Sequence, residues 1–515
     1  MLSFCSKAIE ISMREKLLIL SVFIVASCGL AYELIAAALA SYLMGDSVLQ
    51  FSSIIGCYLF AMGIGSHLSK YVPEGRTLDR FIEIELLVGL IGGLSATLLF
   101  VVFAWAAAPF RSVLYALVFL TGTLVGMEIP LVMRVLNQRK TDFAELVSRV
   151  LTFDYMGALA VSLLFPLVLA PHLGLARSAL LFGLVNVGIA LLTTKIFRHE
   201  LAHAKLHLLR GGVVALVLLG ALLGADKLTK WSEKTLYGDE IIHAQTTPYQ
   251  RLLITQWKND TRLYINGNLQ FSSRDEYRYH EALVHPVLEK LPQAKSVLVL
   301  GGGDGLAVRE ILKYPQIEHI TLVDLDPAMT DLFTHNEKLV GFNQHSLSNP
   351  KVKVVNADAA QWIEQNQQIF DAIIIDFPDP SNFALGKLYS VPMYRLVKKH
   401  LSENGLMVVQ STSPLHAPRS YWCINETLKA VGLYTTPYHA FVPSFGEWGF
   451  ILASNKPGYT PPTSYRVKTK FLDGETTRQM FFFPPDMQPV KVEANQLNNQ
   501  SLVHYFEQDW SQVIR

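Results

Sequence analysis

Cysteine is scarce in this sequence: Cys5, Cys28, Cys57 and Cys423 are the four present in 515 residues. Three of them sit in or beside apolar segments, and no two have the spacing of a metal-binding pair. Neither a disulfide framework nor a zinc site is indicated, and the redox compartment stays open. An excess of charge is missing too. There are 44 Lys and Arg against 43 Asp and Glu, a formal net charge of +1. Such a balance implies no polyanionic partner, nucleic acid included. The first apolar run does not read as a cleavable leader, because it is long and no small-residue cleavage site precedes a polar start.

Apolar length is what the chain has in abundance. At 515 residues it exceeds one ordinary domain. Hydrophobic residues make up 50% of it and concentrate in residues 1–226. Seven stretches there approach the ~20 residues that a bilayer core requires. They are 17–40, 48–67, 81–104, 113–133, 150–170, 178–196 and 208–225. Arg210 and the Gly211-Gly212 pair make the last the weakest, suited to a tilted or interfacial position. Basic residues gather before the first stretch (Lys7, Arg14, Lys16) and in the second loop (Lys70, Arg76, Arg80). They recur in the fourth loop (Arg134, Arg139, Lys140, Arg149) and the sixth (Lys195, Arg198, Lys205, Arg210). The positive-inside rule then places the amino terminus in the cytoplasm. Seven spans would leave the C-terminal half outside, and six would leave it inside.

Glu33, Glu128 and Asp154 fall well inside these stretches. An ionisable group in lipid is costly and usually faces the bundle interior or a water-filled path. The three read equally well as an amine site and as interhelical hydrogen bonds of a scaffold. Glu83 and Glu85, at the start of the third stretch, are expected to reach the interface. Glu128-Ile-Pro130 is a candidate helix break.

The second half changes character. Residues 227–234 form a charged junction. A β-rich region follows, with a hairpin signal at Asn266-Gly267 between apolar runs. A helix is expected over 275–291. Its cluster Glu276, Tyr277, Tyr279, His280 and Glu281, taken alone, reads as a solvated face. From Ser296 strands and helices alternate, with strands near 296–300, 319–323, 352–355, 371–375 and 405–410. That is the pattern of a doubly wound parallel sheet.

The first of these strands runs straight into Gly301-Gly-Gly-Asp-Gly305 and then a helical pattern. Glycines let a ligand approach the backbone closely, and a helix start offers free N–H groups. Asp324 ends the second strand about 20 residues later, where a carboxylate can accept from ribose hydroxyls. Asp304 inside the loop argues against a bare phosphate cradle and for a nucleoside without a pyrophosphate. Carboxylates stand at four successive strand ends: Asp304, Asp324, Asp358 and Asp376. Ligands of such sheets bind beyond those ends. Asp376 and Asp379, with Pro378 and Pro380, make a rigid acidic mouth. It could bind a cationic amine and take a proton from it.

Together these residues resemble the polyamine aminopropyltransferases (spermidine synthases), in the bacterial form with an N-terminal multi-pass membrane domain. The matching stretches are 247–251, 274–281, 301–305, 356–359 and 376–380, with 32–34 and 126–130 in the apolar half. The resemblance implies an α-helical transmembrane bundle over 1–226 and a small β-rich region over 227–292. An α/β doubly wound domain, Rossmann-like and class I methyltransferase-like, follows over 293–460, with a C-terminal extension over 461–515.

The implied reaction moves an aminopropyl group from decarboxylated S-adenosylmethionine to putrescine or a similar amine, giving spermidine and methylthioadenosine. Gln250, Gly301, Gly303, Asp304, Asp324, Asp358 and Ala359 match donor-binding positions. Gln250 and Asp304 meet its aminopropyl end, Asp324 its ribose, and Asp358 with Ala359 its adenine. Asp376 matches the catalytic base, and Tyr279, His280 and Asp379 the amine side. The resemblance implies no metal and no cofactor besides the donor as co-substrate. It also implies a homo-oligomer, since soluble relatives associate through the β region, and a lipid bilayer as partner. Nucleoside substrates are intracellular, which favours the cytoplasmic side of the cell membrane for the catalytic half.

The sequence departs from soluble relatives in four places. Leu306 stands where many have glycine. Ser381-Asn-Phe-Ala384 follows the acidic mouth, and Ser444-Phe445 replaces an amine-contacting tyrosine. The tail over 465–510 has no soluble counterpart. The second and third departures leave the acceptor amine open. Two other readings stand beside the main one. One is an S-adenosylmethionine-dependent methyltransferase on the same sheet, although Asp304 and Asp376 would repel that donor's carboxylate. The other is a polyamine transporter or sensor whose soluble half only binds.

Overall fold

A computed structural model describes residues 2–44, 47–105, 107–137 and 143–511. Arg139 and Lys140 lie outside the described residues, as do the side chains of Cys5, Lys7, Arg14 and Lys16. The chain forms two compact units, Met1–Ile241 and Ile242–Arg515.

The first unit is helical. Its helices are α1 (Leu2–Met44), α2 (Ser47–Leu68), α3 (Thr77–Trp105), α4 (Ala107–Asn137), α5 (Phe143–Leu164), α6 (Ala170–Ile196) and α7 (Ala204–Tyr237). Each apolar stretch read from the sequence falls on one of them except 150–170, which runs past the end of α5 to the first residue of α6. Among the described residues, six helical stretches are long and apolar enough to cross a membrane, by length and composition. One of the six is the 54-residue run Phe143–Ile196. At 1.5 Å per residue it is more than twice a bilayer core. Gly174 divides it, at φ 75° and ψ 172°, a conformation open to glycine alone. Large apolar side chains such as Phe60, Leu159, Leu167 and Leu216 point outward. Inside, α2 and α4 approach so closely at Gly126 that a Cβ there would collide with the Met62 backbone.

An expectation fails here. Pro130 does not break α4, which runs on to Asn137. Helix α7 continues through Arg210 and its neighbouring glycines, and Arg210 Nη1 reaches Glu83 Oε1 at 3.2 Å. The charged junction over 227–234 is carried by α7 among its last turns. Its residues are adequate helix formers, and local charge did not end the helix.

The second unit opens with an antiparallel sheet in the order β1-β2-β3-β4: Glu240–Thr246, Arg251–Trp257, Asp260–Ile265 and Asn268–Ser272. Asn266 and Gly267 turn the last hairpin, with φ of 50° and 84°. Helix α8 (Glu276–Leu288) leads to a seven-stranded sheet. Its strands are β5 (Ser296–Gly301), β6 (His319–Asp324), β7 (Val352–Asn356), β8 (Phe370–Asp376), β9 (Leu401–Gln410), β10 (Tyr434–Val442) and β11 (Gly446–Ser454). The order is β10-β11-β9-β8-β5-β6-β7. β5 to β9 are parallel, as expected, but the sheet is mixed. β10 and β11 add an antiparallel hairpin along β9.

Strand β5 is buried on both faces. Val297 and Val299 enter one apolar cluster with α8, while Leu298 and Leu300 enter the other. That explains its unbroken apolar run. The tail over 465–510 is no loose extension. Leu472, Met480 and Phe481 join the first cluster, and Phe483 and Leu502 the second. The chain reverses strand order at β5, with β6 on one side and β8 on the other. This switch point is where an open α/β sheet presents a ligand crevice.

Candidate active site

The turn after β5 needs its glycines. Gly301, Gly302 and Gly305 adopt φ of 81°, 68° and 74°. A Cβ on Gly302 would approach Asp376 Oδ2 to 3.0 Å, and one on Gly303 would strike the Asp324 carboxyl. The loop is therefore packed between the ends of β6 and β8. Helix α9 (Leu306–Ile311) begins directly after it.

Asp324, at the end of β6, is held by backbone donors. Gly303 N donates to Oδ2 and Asp326 N to Oδ1, each at 3.0 Å. Burial raises this carboxyl to about 6 despite those two bonds. Asp304 accepts from Leu306 N at 2.9 Å. Burial raises it as well, against the lowering charge of His280.

Asp376 stands opposite Gly301 in the β5–β8 register. The Tyr279 hydroxyl, from α8, donates to its Oδ1. Burial raises Asp376 to about 6, with His280 lowering and Asp304 raising it further. Asp379 accepts from Gln410 Nε2 at 3.2 Å and from Thr412 Oγ1 at 3.4 Å. Burial raises it to about 6 too. The main chain between the two aspartates is clamped. Gln410 Nε2 donates to the Phe377 carbonyl at 2.7 Å, and the Tyr389 hydroxyl lies 3.0 Å from the same oxygen.

His280 lies edge-on to the Tyr279 ring, with centroids 5.0 Å apart. Its Nδ1 is 2.9 Å from Glu276 Oε2. Glu276, His280 and Glu281 are buried, so the solvated-face reading of this helix is wrong. Periodicity told which residues share a face, but the face turns inward onto charged partners. Phe445 closes on Tyr279 at 6.3 Å and on Trp448 at 5.1 Å.

The Thr247–Gln250 turn is fastened to β6. Thr247 N donates to the Gln250 carbonyl at 2.8 Å, and Thr247 Oγ1 to Asp326 Oδ2 at 2.8 Å. Asp358 and Ala359 stand one strand further out and open the helix Ala359–Gln365. Asp358 accepts from Ala360 N at 2.9 Å and pairs with Lys387 at 3.1 Å. Burial acts to raise it, but Lys387 and the capped N–H groups outweigh that and hold it low.

The structure thus brings Gly301, Gly303, Asp304, Asp324, Asp376, Tyr279 and His280 to one switch point. Asp379 joins them through the end of β9. Gln250 borders the end of β6 through its turn, and Asp358 and Ala359 the end of β7. Sequence reasoning missed Gln410, Thr412, Tyr389 and Trp448. Gln410 and Thr412 follow the apolar run of β9, and the strand-end rule could have found them. No local pattern marks the other two.

Residues 276–461 match the spermine/spermidine synthase domain. Polyamine aminopropyltransferase 2 of Ralstonia nicotianae is 65% identical over 504 residues, covering 97% of this chain and 99% of the relative. Polyamine aminopropyltransferase of Leptospira interrogans is 51% identical over 501 residues, covering 96% and 99%. A crystal structure of spermidine synthase in complex with the transition-state analogue AdoDATO aligns at a TM-score of 0.45 and 24% identity, covering 48% of this chain and 86% of that one. The curated relatives favour neither a methyltransferase nor a binding-only protein. Full-length identity of this order leaves one assignment: the chain belongs to the polyamine aminopropyltransferases and is an enzyme of that family.

Proposed function

We propose that the enzyme transfers the aminopropyl group of decarboxylated S-adenosylmethionine to putrescine or a similar amine, giving spermidine and methylthioadenosine. The observation that carries this reading is the Tyr279–Asp376 hydrogen bond beside the glycine loop.

In this reading the loop at Gly301 and Gly303 lets the nucleoside approach the backbone. Asp324 takes the ribose hydroxyls, Asp358 and Ala359 the adenine edge, and Gln250 with Asp304 the aminopropyl end. Tyr279, His280 and Asp379 hold the acceptor. The amine's lone pair attacks the methylene next to the sulfonium, and the carbon–sulfur bond breaks. Its electron pair goes to sulfur, leaving a neutral thioether. Asp376 takes the proton that frees the attacking nitrogen. A carboxylate near 6 is a better-matched base than an ordinary one. Alignment of the two reactants supplies much of the remaining acceleration. Acidic side chains at 304 and 376 favour a donor without its own carboxylate.

The long apolar helical stretches support insertion in the cell membrane, and an intracellular nucleoside donor favours the cytoplasmic side for the catalytic half. Self-association through the β1–β4 region belongs to the same proposal. The test is methylthioadenosine release by detergent-purified protein given the decarboxylated donor and a panel of diamines. Turnover with putrescine that collapses in Asp376→Asn supports the reading. No release with any amine overturns it.

A further inference from the structure

The stretch after the acidic mouth is too short to hold itself in place. Asn382 Oδ1 accepts from Leu385 N at 3.0 Å and opens a helix of four residues, Phe383–Gly386. A turn of three, Lys387–Tyr389, follows. Isolated helices of this length are unstable in water. Yet the stretch reaches the site at two places. The buried Tyr389 hydroxyl lies 3.0 and 3.1 Å from the carbonyls of Phe377 and Pro378, between Asp376 and Asp379. It also accepts from Gln410 Nε2 at 3.1 Å. Lys387 Nζ reaches Asp358 Oδ2 at 3.1 Å.

The end of the tail holds this stretch. Asn495 is 0% exposed, and each of its polar atoms has a partner. On one side its Nδ2 donates to the carbonyls of Gly386 and Tyr389, at 2.9 and 3.3 Å. Its own carbonyl accepts from Val391 N at 2.9 Å. On the other side its N donates to Thr427 Oγ1 at 2.8 Å, and its Oδ1 accepts from Leu502 N at 3.3 Å. Thr427 belongs to the helix Pro418–Ala430 and Leu502 to the helix Ser501–Trp510. Asp509 pins these two helices together, accepting from Arg419 Nε at 2.7 Å and from Arg419 N at 3.1 Å. The second helix also meets the stretch directly, because a Cβ on Gly386 would collide with Val503 Cγ2. Asn495 thus ties a weak segment to a firm one, and its bonds end on the main chain that carries Tyr389 and Lys387 into the site.

We infer that Asn495 is a positioning residue for the acceptor side of the pocket. By holding the Gly386 and Tyr389 carbonyls it sets the Tyr389 hydroxyl against the main chain between Asp376 and Asp379. That fixes the spacing at which the two carboxylates meet the amine. The inference rests on the aminopropyl transfer proposed above and gives the tail a part in it.

The test is steady-state kinetics of full-length Asn495→Ala in detergent, read as methylthioadenosine release with varied putrescine. The putrescine KM should rise on the order of 10-fold, and kcat should fall less. Damage to the fold alone would reduce the active fraction, lowering kcat and leaving KM unchanged. Tyr389→Phe keeps the ring, loses the hydroxyl and should raise KM similarly. The double variant should be no worse than the worse single variant, because both substitutions break one connection. A wild-type KM in Asn495→Ala, or single effects that multiply in the double variant, overturns the inference.

A second readout needs no turnover. Trypsin cleavage after Lys387, followed by mass spectrometry, should be faster in Asn495→Ala than in wild type, and an unchanged rate overturns the inference. If Asn495→Ala does not fold, Val503→Ala takes its place. It loosens the contact at Gly386, keeps every hydrogen bond and should show both changes at smaller size; neither change overturns the inference. Wild type that releases no methylthioadenosine counts against the reaction instead, and the trypsin comparison then decides whether Asn495 holds the stretch.

Discussion

Arg309 donates two parallel hydrogen bonds to Glu276, Nη1 to Oε1 and Nη2 to Oε2, each at 2.9 Å. Glu276 in turn holds His280 by Nδ1. Burial acts to lower the His280 pKa, but the bond and charge of Glu276 outweigh it and raise the imidazole above its ordinary value. Arg309 Nε donates to Glu310, whose other oxygen lies 2.9 Å from His285 Nε2. A buried chain of alternating charge thus orients one wall of the pocket from behind.

Arg309→Lys keeps the charge and loses the fork. A lysine cannot reproduce the planar bidentate geometry, and breaking a buried pair costs about 1–3 kcal/mol when charge is retained. The variant should melt lower than wild type. Its KM for the amine should rise more than its kcat falls, because His280 loses orientation rather than identity. Steady-state kinetics with varied amine at saturating donor checks this. An unchanged KM would show that the fork serves folding alone.

Asp376→Asn keeps the shape and the acceptor for Tyr279 but removes the base. The loss of kcat should be on the order of 100- to 10,000-fold. With Asp376 raised to about 6, the wild-type rate should fall as pH drops through that value. A protonated carboxyl cannot take the proton of the amine. The residual rate of the variant should lack this acidic limb. Methylthioadenosine release across pH reads both.

Asp379 carries a stability cost whose sign follows from burial. Burial raises its carboxyl to about 6, against the lowering hydrogen bonds of Gln410 and Thr412. The folded state holds that proton more tightly than the unfolded chain. Its contribution is fully present below the ordinary carboxylate range and is lost as pH rises through about 6. Asp379→Asn removes the charge and still accepts from Gln410. The variant should therefore melt higher than wild type above neutral pH, by roughly 1–2 kcal/mol after solvent screening at the pocket mouth. The gap should close in acid. Thermal melts at several pH values test it, and a gap that widens in acid would refute the sign.

Glu281 latches the tail. Its carboxylate accepts from the backbone N–H groups of Lys470, Phe471 and Leu472 at 2.7, 2.8 and 3.1 Å. Glu281→Ala leaves three donors without their acceptor, at a cost of about 2–4 kcal/mol. The tail over 465–480 should become sensitive to limited proteolysis before the parallel sheet does. Cleavage no faster than in wild type would mean that apolar packing alone retains it.

The parts of this protein that were legible in the sequence are those that depend on residues close together in the chain. An apolar run of bilayer length becomes a helix because its own backbone satisfies its polar groups. Strands β6 to β8 end in polar residues because the sheet's buried stretch ends there, so Asp324 and Asp376 could be placed by counting. The Gly301–Gly305 loop was readable because its positive φ values need glycine. What the sequence alone determined is this local chemistry and its order along the chain.

Tertiary structure decided which faces meet. It joined Glu85 of α3 to Asn186 of α6, when position alone placed Glu85 at an interface. The cluster on α8 became buried machinery because Arg309 and the tail backbone neutralise it, and those partners lie 33 and about 190 residues away. The hairpin β10–β11 joined the sheet antiparallel because its strands are adjacent in sequence and need no crossover. Such pairings arise from complementary surfaces of distant segments, and no periodicity within either segment records the match.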